Sequence, residues 1–475
     1  MSNILIKNAL AVALMDDNNT VLKGASVFIS GNEIKKIYTA DKSSELEKFI
    51  SENTIDRIID AKNNVVLPGF INTHHHFYQI FTRNVPKMQD EKLFDWLVDL
   101  YDIWALLDEE WVYWSTKAAM AELALTGCTG TTDHHYVFPK GGEHFIDTQF
   151  KAAAEIGMRF HATRGSMSRS RKDGGLPPDS VVQTEEQIMQ DCERVINKYH
   201  DVSKFSMRKV ALAPCSPFSV TSSLLAETSK FARAKKVKMH THLCETNDED
   251  DYCLKVYKMR PIDFMESVGW LGPDVWYAHS VYVNDEEIER MGKTGTGVAH
   301  CPSSNLRLGS GIAPVAKMLK HNVPVALAVD GSASNDSSDM LGELRLALLV
   351  HRVKSGVESM PSSDVFKMAT RNGAKVLGFN ESGQIKEGMA ADIIMYDLNS
   401  IGYVGAQHDP LSAILFAGFD HRVNYNIING KIIVEKGRLV TALENEIVEI
   451  GNKISKRIVH EKYINIKKKM KNVCK

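Results

Sequence analysis

The stretch LPGFINTHHH, residues Leu67 to His76, decides the fold of this chain. It begins within an apolar run, Val65 to Leu67, and ends in three consecutive histidines. Successive side chains of a strand point to opposite faces, so a strand ending here would direct His74 and His76 to one side and His75 to the other. Neutral imidazole is a common ligand for zinc and other borderline metals. The stretch therefore predicts a buried strand that carries two metal ligands at its end.

The chain beyond this stretch alternates short apolar strands with amphipathic helices, which is typical of a parallel α/β fold. Eight strands are predicted, ending at His76, His134, Arg164, Cys215, His242, His279, His300 and Asp330. Eight such units indicate a TIM barrel, whose active site lies at the C-terminal ends of the strands. Because most of these strands end in polar or ionisable residues, the sequence predicts a catalytic (β/α)8 barrel.

The two ends of the chain have a different pattern, with short β-like pieces and turn signals at Ser30-Gly31-Asn32 and Asn429-Gly430. We predict a small β-sandwich built from residues 1–66 and 386–440, with the barrel of residues 67–385 inserted between them. Residues 441–475 are predicted to form a helical tail, in which the lysines of KKKMKNVCK form a solvated face.

Bulk properties exclude several classes of protein. The net charge of −2 gives no electrostatic argument for a nucleic-acid partner. No stretch approaches the roughly 20 apolar residues of a membrane span, and the N-terminus resembles a strand and a turn more than a signal peptide. The seven cysteines are scattered without a CxxC pair, so neither a disulfide framework nor a thiolate zinc site is indicated. A cytoplasmic protein is expected.

Four residues at the predicted strand ends form a plausible ligand set: His74, His76, His242 and Asp330. Three imidazoles and a carboxylate leave room for one water, the open position that a catalytic zinc requires. Such a metal lowers the pKa of its water towards about 7. The sequence therefore predicts one divalent metal ion, zinc or iron, that activates water.

Two further residues are candidates for proton transfer. Glu245 lies three residues after His242, and a carboxylate there can take a proton from water and give it to a leaving nitrogen. His279 is expected to hydrogen-bond the water or polarise the substrate, and Asp330 to help accept the water proton. His134 and His300 also end strands, but the sequence assigns them no role.

Four motifs together resemble the amidohydrolase superfamily: LPGFINTHHH, HTHLCET at 240–246, AHS at 278–280 and AVDGSASND at 328–336. The late segment GQIKEGMAADIIMYDL looks like that family's return to its sandwich. The resemblance implies the branch of guanine, adenosine-homologue and triazine aminohydrolases, with one metal and the ligands given above. Binuclear relatives carry a carboxylated lysine ending strand four, where this chain has Pro214-Cys215. The cytidine-type deaminase signature is also absent.

The substrate class follows from further resemblances. HHHFYQIFTRNVP, LFDWL, CPSSNLRLGSGIAPV and VDGSASNDSSDML look most similar to the 8-oxoguanine deaminases, which implies conversion of 8-oxoguanine to urate and ammonia. Nucleoside deaminases of this branch carry a ribose-binding Pro-Ile-Glu after their Trp-Leu, and here Trp96-Leu97 lacks it. Candidate substrate contacts are Gln79, Trp96, which could stack on a flat base, and Arg164, which could meet a carbonyl.

Three alternatives stay open. The chain could be a hydroxytriazine aminohydrolase or an isocytosine or pterin deaminase. It could also be a non-catalytic scaffold of the same fold, although such scaffolds are expected to have lost ligands that this chain retains. In every catalytic case the partner is a small heterocycle, and the family resemblance implies a homo-oligomer.

Overall fold

A closed parallel barrel forms the centre of the molecule, whose computed structural model describes residues 2–459. Its eight strands pair in parallel in chain order. They are, from strand one to strand eight, Phe70–Asn72, Cys128–His135, Arg159–Ser166, Arg208–Pro214, Lys238–Leu243, Val275–His279, Gly297–His300 and Val325–Leu327. Strand eight returns to strand one because the Thr73 N–H and hydroxyl both donate to the Leu327 carbonyl oxygen, at 3.2 and 2.9 Å. The predicted (β/α)8 barrel is confirmed.

Small side chains make room for one large residue inside the barrel. Ala211, Ala299 and Ala326, from strands four, seven and eight, belong to one buried cluster with Trp276 of strand six. Small and large side chains alternate in this way where a narrow barrel must be filled without voids. Trp276 therefore lies inside the barrel, where it can contact residues of several strands.

Helices surround the barrel, and several begin at residues suited to that position. Thr184 and Asn284 each form a capping box with the side chain three residues on. The α-helices from strand one to the end of the barrel are Leu93–Trp104, Glu109–Leu125, Phe145–Ile156, Glu185–Tyr199, Ser222–Lys235, Asn247–Tyr257, Pro261–Ser267, Asp285–Thr294, Pro302–Arg307, Val315–Lys320, Ser332–Asn335, Met340–Ser355, Ser362–Lys367 and Gly373–Leu377. Shorter turns of helix lie at Phe77–Thr82, Pro86–Met88, Arg171–Asp173, Asp179–Val181, Val357–Ser359 and Met368–Asn372.

Two further sheets are built from the ends of the chain. The four-stranded sheet contains, in spatial order, Glu33–Tyr38, Ser26–Ser30, Asn3–Lys7 and Arg57–Asp60. The seven-stranded sheet contains Arg438–Leu439, Lys431–Glu435, Tyr425–Ile428, Ile393–Asp397, Asn64–Pro68, Ala11–Ala13 and Val21–Leu22. The remaining helical segments are Ala40–Lys42, Ser43–Glu52, Ile401–Tyr403, Pro410–Phe416 and Glu444–Lys456. The second sheet therefore joins strands from both ends of the chain, and the domain limits at residues 66 and 385 stay predictions.

The histidine stretch differs from its predicted form. Asn64–Pro68 belongs to the seven-stranded sheet, and Phe70–Asn72 is the first barrel strand, so one predicted strand is two. A side chain at Gly69, between them, would lie 2.0 Å from Thr129 Cγ2, which explains the glycine at the crossing. The prediction that the strand continues to His76 is wrong, because His74 to His76 follow the strand in irregular backbone. Strand eight likewise ends at Leu327, three residues before Asp330.

The C-terminal segment is helical from Glu444 to Lys456, as predicted for the start of the tail. The lysine-rich KKKMKNVCK lies outside the described residues. Among residues 2–459, none of the helices has both the length and the apolar character needed to cross a membrane.

Candidate metal centre and substrate cavity

A cavity lies at the C-terminal ends of the barrel strands. Its polar lining includes His76, His242, Glu245, His279 and Asp330. Its apolar wall is formed by Leu93, Trp96, Leu97, Phe218 and Leu308. Three of the four predicted ligands and both proton-transfer candidates therefore line one cavity, at the end of the barrel where TIM-barrel chemistry takes place.

The four predicted ligands converge on one point. Asp330 Oδ1 lies 3.2 Å from His74 Nε2 and 3.4 Å from His76 Nε2. His76 Nε2 lies 3.1 Å from His242 Nε2. Although His74 and His76 lie beyond the strand, the structure places both imidazoles where strand alternation had predicted them.

Backbone carbonyls fix the protons on two of these rings. The carbonyl oxygen of His134 lies 2.8 Å from His76 Nδ1, and that of Cys215 lies 2.6 Å from His242 Nδ1. A carbonyl oxygen can only accept, so each Nδ1 carries a proton and donates it. Because burial lowers the pKa of both imidazoles, the rings are neutral and each Nε2 is a bare lone pair.

With the protons on these nitrogens, the site is suited to binding a cation. Two imidazole lone pairs face each other across 3.1 Å with no proton between them, beside the carboxylate of Asp330. Within the described residues, His74 Nε2 is buried without a hydrogen-bond partner. Unsatisfied acceptors this close repel one another unless a positive charge lies among them. The donor set of imidazole nitrogens and one carboxylate therefore suits a divalent metal ion such as zinc.

The proton-transfer candidates lie beside this centre. His279 Nε2 is 3.4 Å from Glu245 Oε2 and 3.9 Å from Asp330 Oδ2. Asn305 Oδ1 accepts from His279 Nδ1 at 2.9 Å, so the other ring nitrogen faces both carboxylates. Burial raises the pKa of Glu245, which brings the carboxyl group closer to the range of a general base working near neutral pH. The structure thus brings together all three predicted catalytic residues.

Three residues of the site have a left-handed backbone. The φ angles of Cys244, His279 and Asp330 are 57°, 73° and 65°. A non-glycine residue there costs about 1–3 kcal/mol and persists only where the surrounding structure enforces it, most often at functional sites. Cys244 immediately follows strand five, His279 ends strand six, and Asp330 lies three residues beyond strand eight. The turns at these positions direct the side chains of Glu245, His279 and Asp330 into the cavity.

Of the three predicted substrate contacts, two line the cavity and one does not. Gln79 and Trp96 both line the cavity. Gln79 Oε1 and Trp96 Nε1 are buried and, within residues 2–459, have no hydrogen-bond partner. Arg164 does not reach the cavity, because its guanidinium binds Asp191 and Gln183. The prediction of Arg164 as a substrate contact therefore lacks support, since a strand-end residue can also point outward.

Sequence reasoning missed several cavity residues. Tyr101, Tyr136, Thr246 and Glu249 all line the cavity. Burial raises the pKa of Glu249 to about 8, and its Oε2 accepts from the backbone N–H of Glu245 at 3.1 Å. Two signals were available: Tyr136 follows the predicted end of strand two by two residues, and Glu249 follows Glu245 by one helical turn.

The two histidines without a predicted role are both buried. His134 Nε2 donates to the Ala213 carbonyl oxygen at 2.9 Å, and its ring stacks on His242 with centroids 4.6 Å apart. His300 Nε2 lies 2.9 Å from His351 Nε2. His134 thus packs directly against a candidate ligand, whereas His300 contacts a helix of the outer layer.

Comparison with known proteins places this geometry among related enzymes. The model of the amidohydrolase family matches residues 65–433. The 8-oxoguanine deaminase of Pseudomonas aeruginosa is 47% identical over 361 residues, which are 76% of this chain and 80% of that protein. The hydroxydechloroatrazine ethylaminohydrolase of Pseudomonas sp. strain ADP is 35% identical over 451 residues, 94% of this chain and 93% of that protein.

A solved structure agrees with the fold and with a metal. Atrazine chlorohydrolase from Arthrobacter aurescens TC1, crystallised in complex with zinc, superposes with a TM-score of 0.89 at 31% identity. The match covers 95% of this chain and 100% of that one. A structure that matches nearly the whole chain therefore contains zinc.

Proposed function

The chain belongs to the amidohydrolase family, and we propose that it is a metal-dependent deaminase that converts the free base 8-oxoguanine to urate and ammonia. One observation carries the chemistry: three neutral imidazoles and a carboxylate converge beside Glu245 at the floor of a cavity. The similarity to the P. aeruginosa enzyme supports the substrate.

A single divalent ion, which we propose to be zinc, is held by His74, His76, His242 and Asp330. The support is the set of lone pairs described above, whose mutual repulsion a cation relieves. When bound, such an ion supplies an activated water at neutral pH. The ligand set includes no bridging lysine, which favours one ion over two.

The residues around the ion provide the proton transfers. Glu245 takes one proton from the attacking water and delivers it to a ring nitrogen. The second proton of the water, which Asp330 helps to accept, is passed through Glu245 to the departing amine, which leaves as ammonia. His279, whose Nε2 faces both Glu245 and Asp330, hydrogen-bonds the water or polarises the substrate. The new C–O bond replaces the C2–N bond of the substrate, so one water enters and one ammonia leaves.

The residues that line the cavity are suited to a flat, polar, free base as the substrate. Trp96 supplies an aromatic wall, and its indole N–H is a donor without a partner in the described part of the chain. Gln79 Oε1 is a buried acceptor that likewise has no hydrogen-bond partner among residues 2–459. Buried polar groups of this kind are satisfied by a substrate with complementary groups on its edge. Trp96-Leu97 is not followed by the ribose-binding Pro-Ile-Glu of the nucleoside deaminases, which favours a base over a nucleoside.

A hydroxytriazine is the second candidate substrate. The relative from Pseudomonas sp. strain ADP, a hydroxydechloroatrazine ethylaminohydrolase, matches a larger share of this chain than the P. aeruginosa enzyme does. Both substrates are flat, aminated heterocycles, so the same metal, Glu245 and His279 would serve either one.

An ammonia-release assay over a panel of aminated heterocycles tests the proposal. The panel contains 8-oxoguanine, guanine, isocytosine, a pterin, a hydroxyatrazine and adenosine, each with metal-loaded and chelator-treated enzyme. The proposal requires metal-dependent release that is fastest with 8-oxoguanine. A hydroxyatrazine as the best substrate would select the second candidate, and no release from any compound would favour a non-catalytic scaffold.

We also propose a cytoplasmic homo-oligomer. The six cysteines in the described part of the chain are all free and buried, as expected of a protein from a reducing compartment. Ile401, Val404 and Phe419 are more than three-quarters exposed, which suits a surface that a second subunit covers. Light scattering of the purified protein would give the oligomeric state.

A further inference from the structure

His240 is a fully buried residue of strand five that contacts one proposed ligand directly. Its Nε2 lies 2.7 Å from Nδ1 of His74. Its Nδ1 lies 2.9 Å from the backbone carbonyl oxygen of Trp276, and the two rings stack with centroids 4.4 Å apart and planes 13° from parallel. The imidazole is thus fixed at both nitrogens and on one face.

The direction of these two hydrogen bonds is determined by the carbonyl. The Trp276 oxygen can only accept, so His240 Nδ1 must carry the proton. In a neutral ring the other nitrogen is then a lone pair, and His240 Nε2 must accept from His74 Nδ1. His74 therefore carries its proton on Nδ1, which leaves the lone pair of its Nε2 directed at Asp330 Oδ1, 3.2 Å away.

We propose that His240 is a positioning residue that selects the tautomer of His74 and thereby makes His74 Nε2 available as a metal ligand. The inference rests on the proposed ligand role of His74. Outer hydrogen bonds of this kind fix the tautomer and the orientation of metal-binding histidines and raise their basicity. His76 and His242 obtain the same orientation from backbone carbonyls, whereas His74 obtains it from a side chain.

Trp276 extends this support to the backbone. Its indole N–H donates to the carbonyl oxygen of Thr73 at 3.0 Å, on the residue before His74. The same tryptophan therefore holds the backbone that carries His74 and, through its own carbonyl, orients the residue that sets the ring of His74. A change at His240 is expected to disturb one nitrogen of one ligand and leave the backbone path in place.

The barrel offers a matched control for loss of packing. His161 of strand three is equally buried, lies near the same Trp276 ring at 5.8 Å, and bonds the Leu377 carbonyl oxygen through its Nδ1. Its hydrogen bond does not involve a proposed metal ligand. Methionine at either position fills similar volume and removes the imidazole, but only at position 240 is a ligand hydrogen bond lost.

The test measures zinc affinity of the metal-free proteins by competition with a chromophoric chelator at neutral pH, without substrate. His240→Met is expected to weaken zinc binding by about 10–100-fold, the cost of losing an outer-sphere partner. His240→Gln, whose amide oxygen can accept from His74 Nδ1, is expected to recover most of that loss, and His161→Met to bind as the wild type does. Wild-type affinity in His240→Met, or equal weakness in His240→Met and His240→Gln, would overturn the proposal.

A second measurement needs no variant to fold and no metal to bind. Nitrogen-15 shifts of the histidine rings in the metal-free wild-type protein report which nitrogen of His74 is protonated. We expect the proton on Nδ1, and a proton on Nε2 would refute the inference by itself. Because neither measurement uses a substrate, a wrong substrate assignment would leave both results unaffected, while a wild-type protein that does not bind zinc would count against the proposed function.

Discussion

Nε2 of His76 and Nε2 of His242 lie 3.1 Å apart, and neither nitrogen has a proton to share with the other. Each ring already donates its one proton, from Nδ1, to a backbone carbonyl oxygen. Two bare lone pairs at hydrogen-bond distance are a repulsive contact in a buried site. The arrangement becomes favourable when a cation lies between the nitrogens, and the carboxylate of Asp330 is the fourth proposed ligand.

Metal content should follow from this ligand set. The purified protein is expected to carry about one divalent ion per chain, and chelation should abolish turnover and lower the melting temperature, because an ion bound only by the native state stabilises it. Asp330→Asn should reduce metal content and activity together. Asp336→Asn, the same change at an exposed position six residues on, is the control. Elemental analysis showing two ions per chain at full activity would contradict the single site.

Glu245 should be separable from the metal. Glu245→Gln keeps the shape of the side chain but cannot carry a proton, and general acid–base groups contribute about 10²–10⁴ in rate. We expect kcat to fall by at least this factor while metal content stays at the wild-type level. Glu358→Gln, at an exposed position, controls for the substitution itself. Near-normal turnover in Glu245→Gln would assign the proton transfer to another residue.

Gly331 should control the position of Gln79. A β-carbon at Gly331 would lie 2.0 Å from Gln79 Oε1, although the backbone there, with φ −71° and ψ 139°, accepts any residue. Gly331→Ala is therefore expected to displace Gln79 and lower kcat/KM by about tenfold to 10²-fold, the range for a misplaced contact. If Gln79 binds the substrate, Gln79→Ala should lose as much, and the double variant no more than either. Additive losses in kcat/KM would show that Gly331 and Gln79 act independently, which would contradict this prediction.

Glu249 should make stability fall with pH. Its folded pKa of about 8 exceeds that of the unfolded chain, so the native state keeps a proton that the unfolded state has lost. The unfolding free energy should decline as pH rises from about 4.5, the ordinary glutamate range, to about 8, with a slope of up to about 1.4 kcal/mol per pH unit from this group. Glu249→Gln, which retains an acceptor for the Glu245 N–H, should be less pH-dependent in chemical denaturation, and its stability relative to the wild type should rise across that window. A constant difference would contradict the raised pKa.

The sequence was sufficient to predict the barrel and the convergence of the four proposed ligands. It succeeded because strand ends of a parallel barrel meet at one edge, so polar residues at those positions can be expected to meet there. Strand alternation correctly predicted that the rings of His74 and His76 lie on the same side. The physical reason is different, because the strand ends at Asn72 and irregular backbone turns both rings towards Asp330.

Other features depended on contacts between distant segments. Arg164 ends a strand like the ligands do, but Asp191 and Gln183 hold it outside the cavity. His240 occupies the same face of strand five as His242, yet only its contacts with His74 and Trp276 give it a role. These pairings join residues separated by 19 to 166 positions, and no local pattern specifies them.

The central claim is deamination of a free oxopurine base, and the ratio of kcat/KM for 8-oxoguanine to that for guanine tests it most directly. The two bases differ at C8, where only 8-oxoguanine presents a carbonyl, and a buried donor built for that oxygen is left unpaired by guanine. Sites of this kind discriminate by about 10⁴ or more. We predict a ratio of that order with the metal-loaded enzyme, and no measurable turnover of adenosine. Equal values for the two bases, or a nucleoside as the best substrate, would contradict the claim.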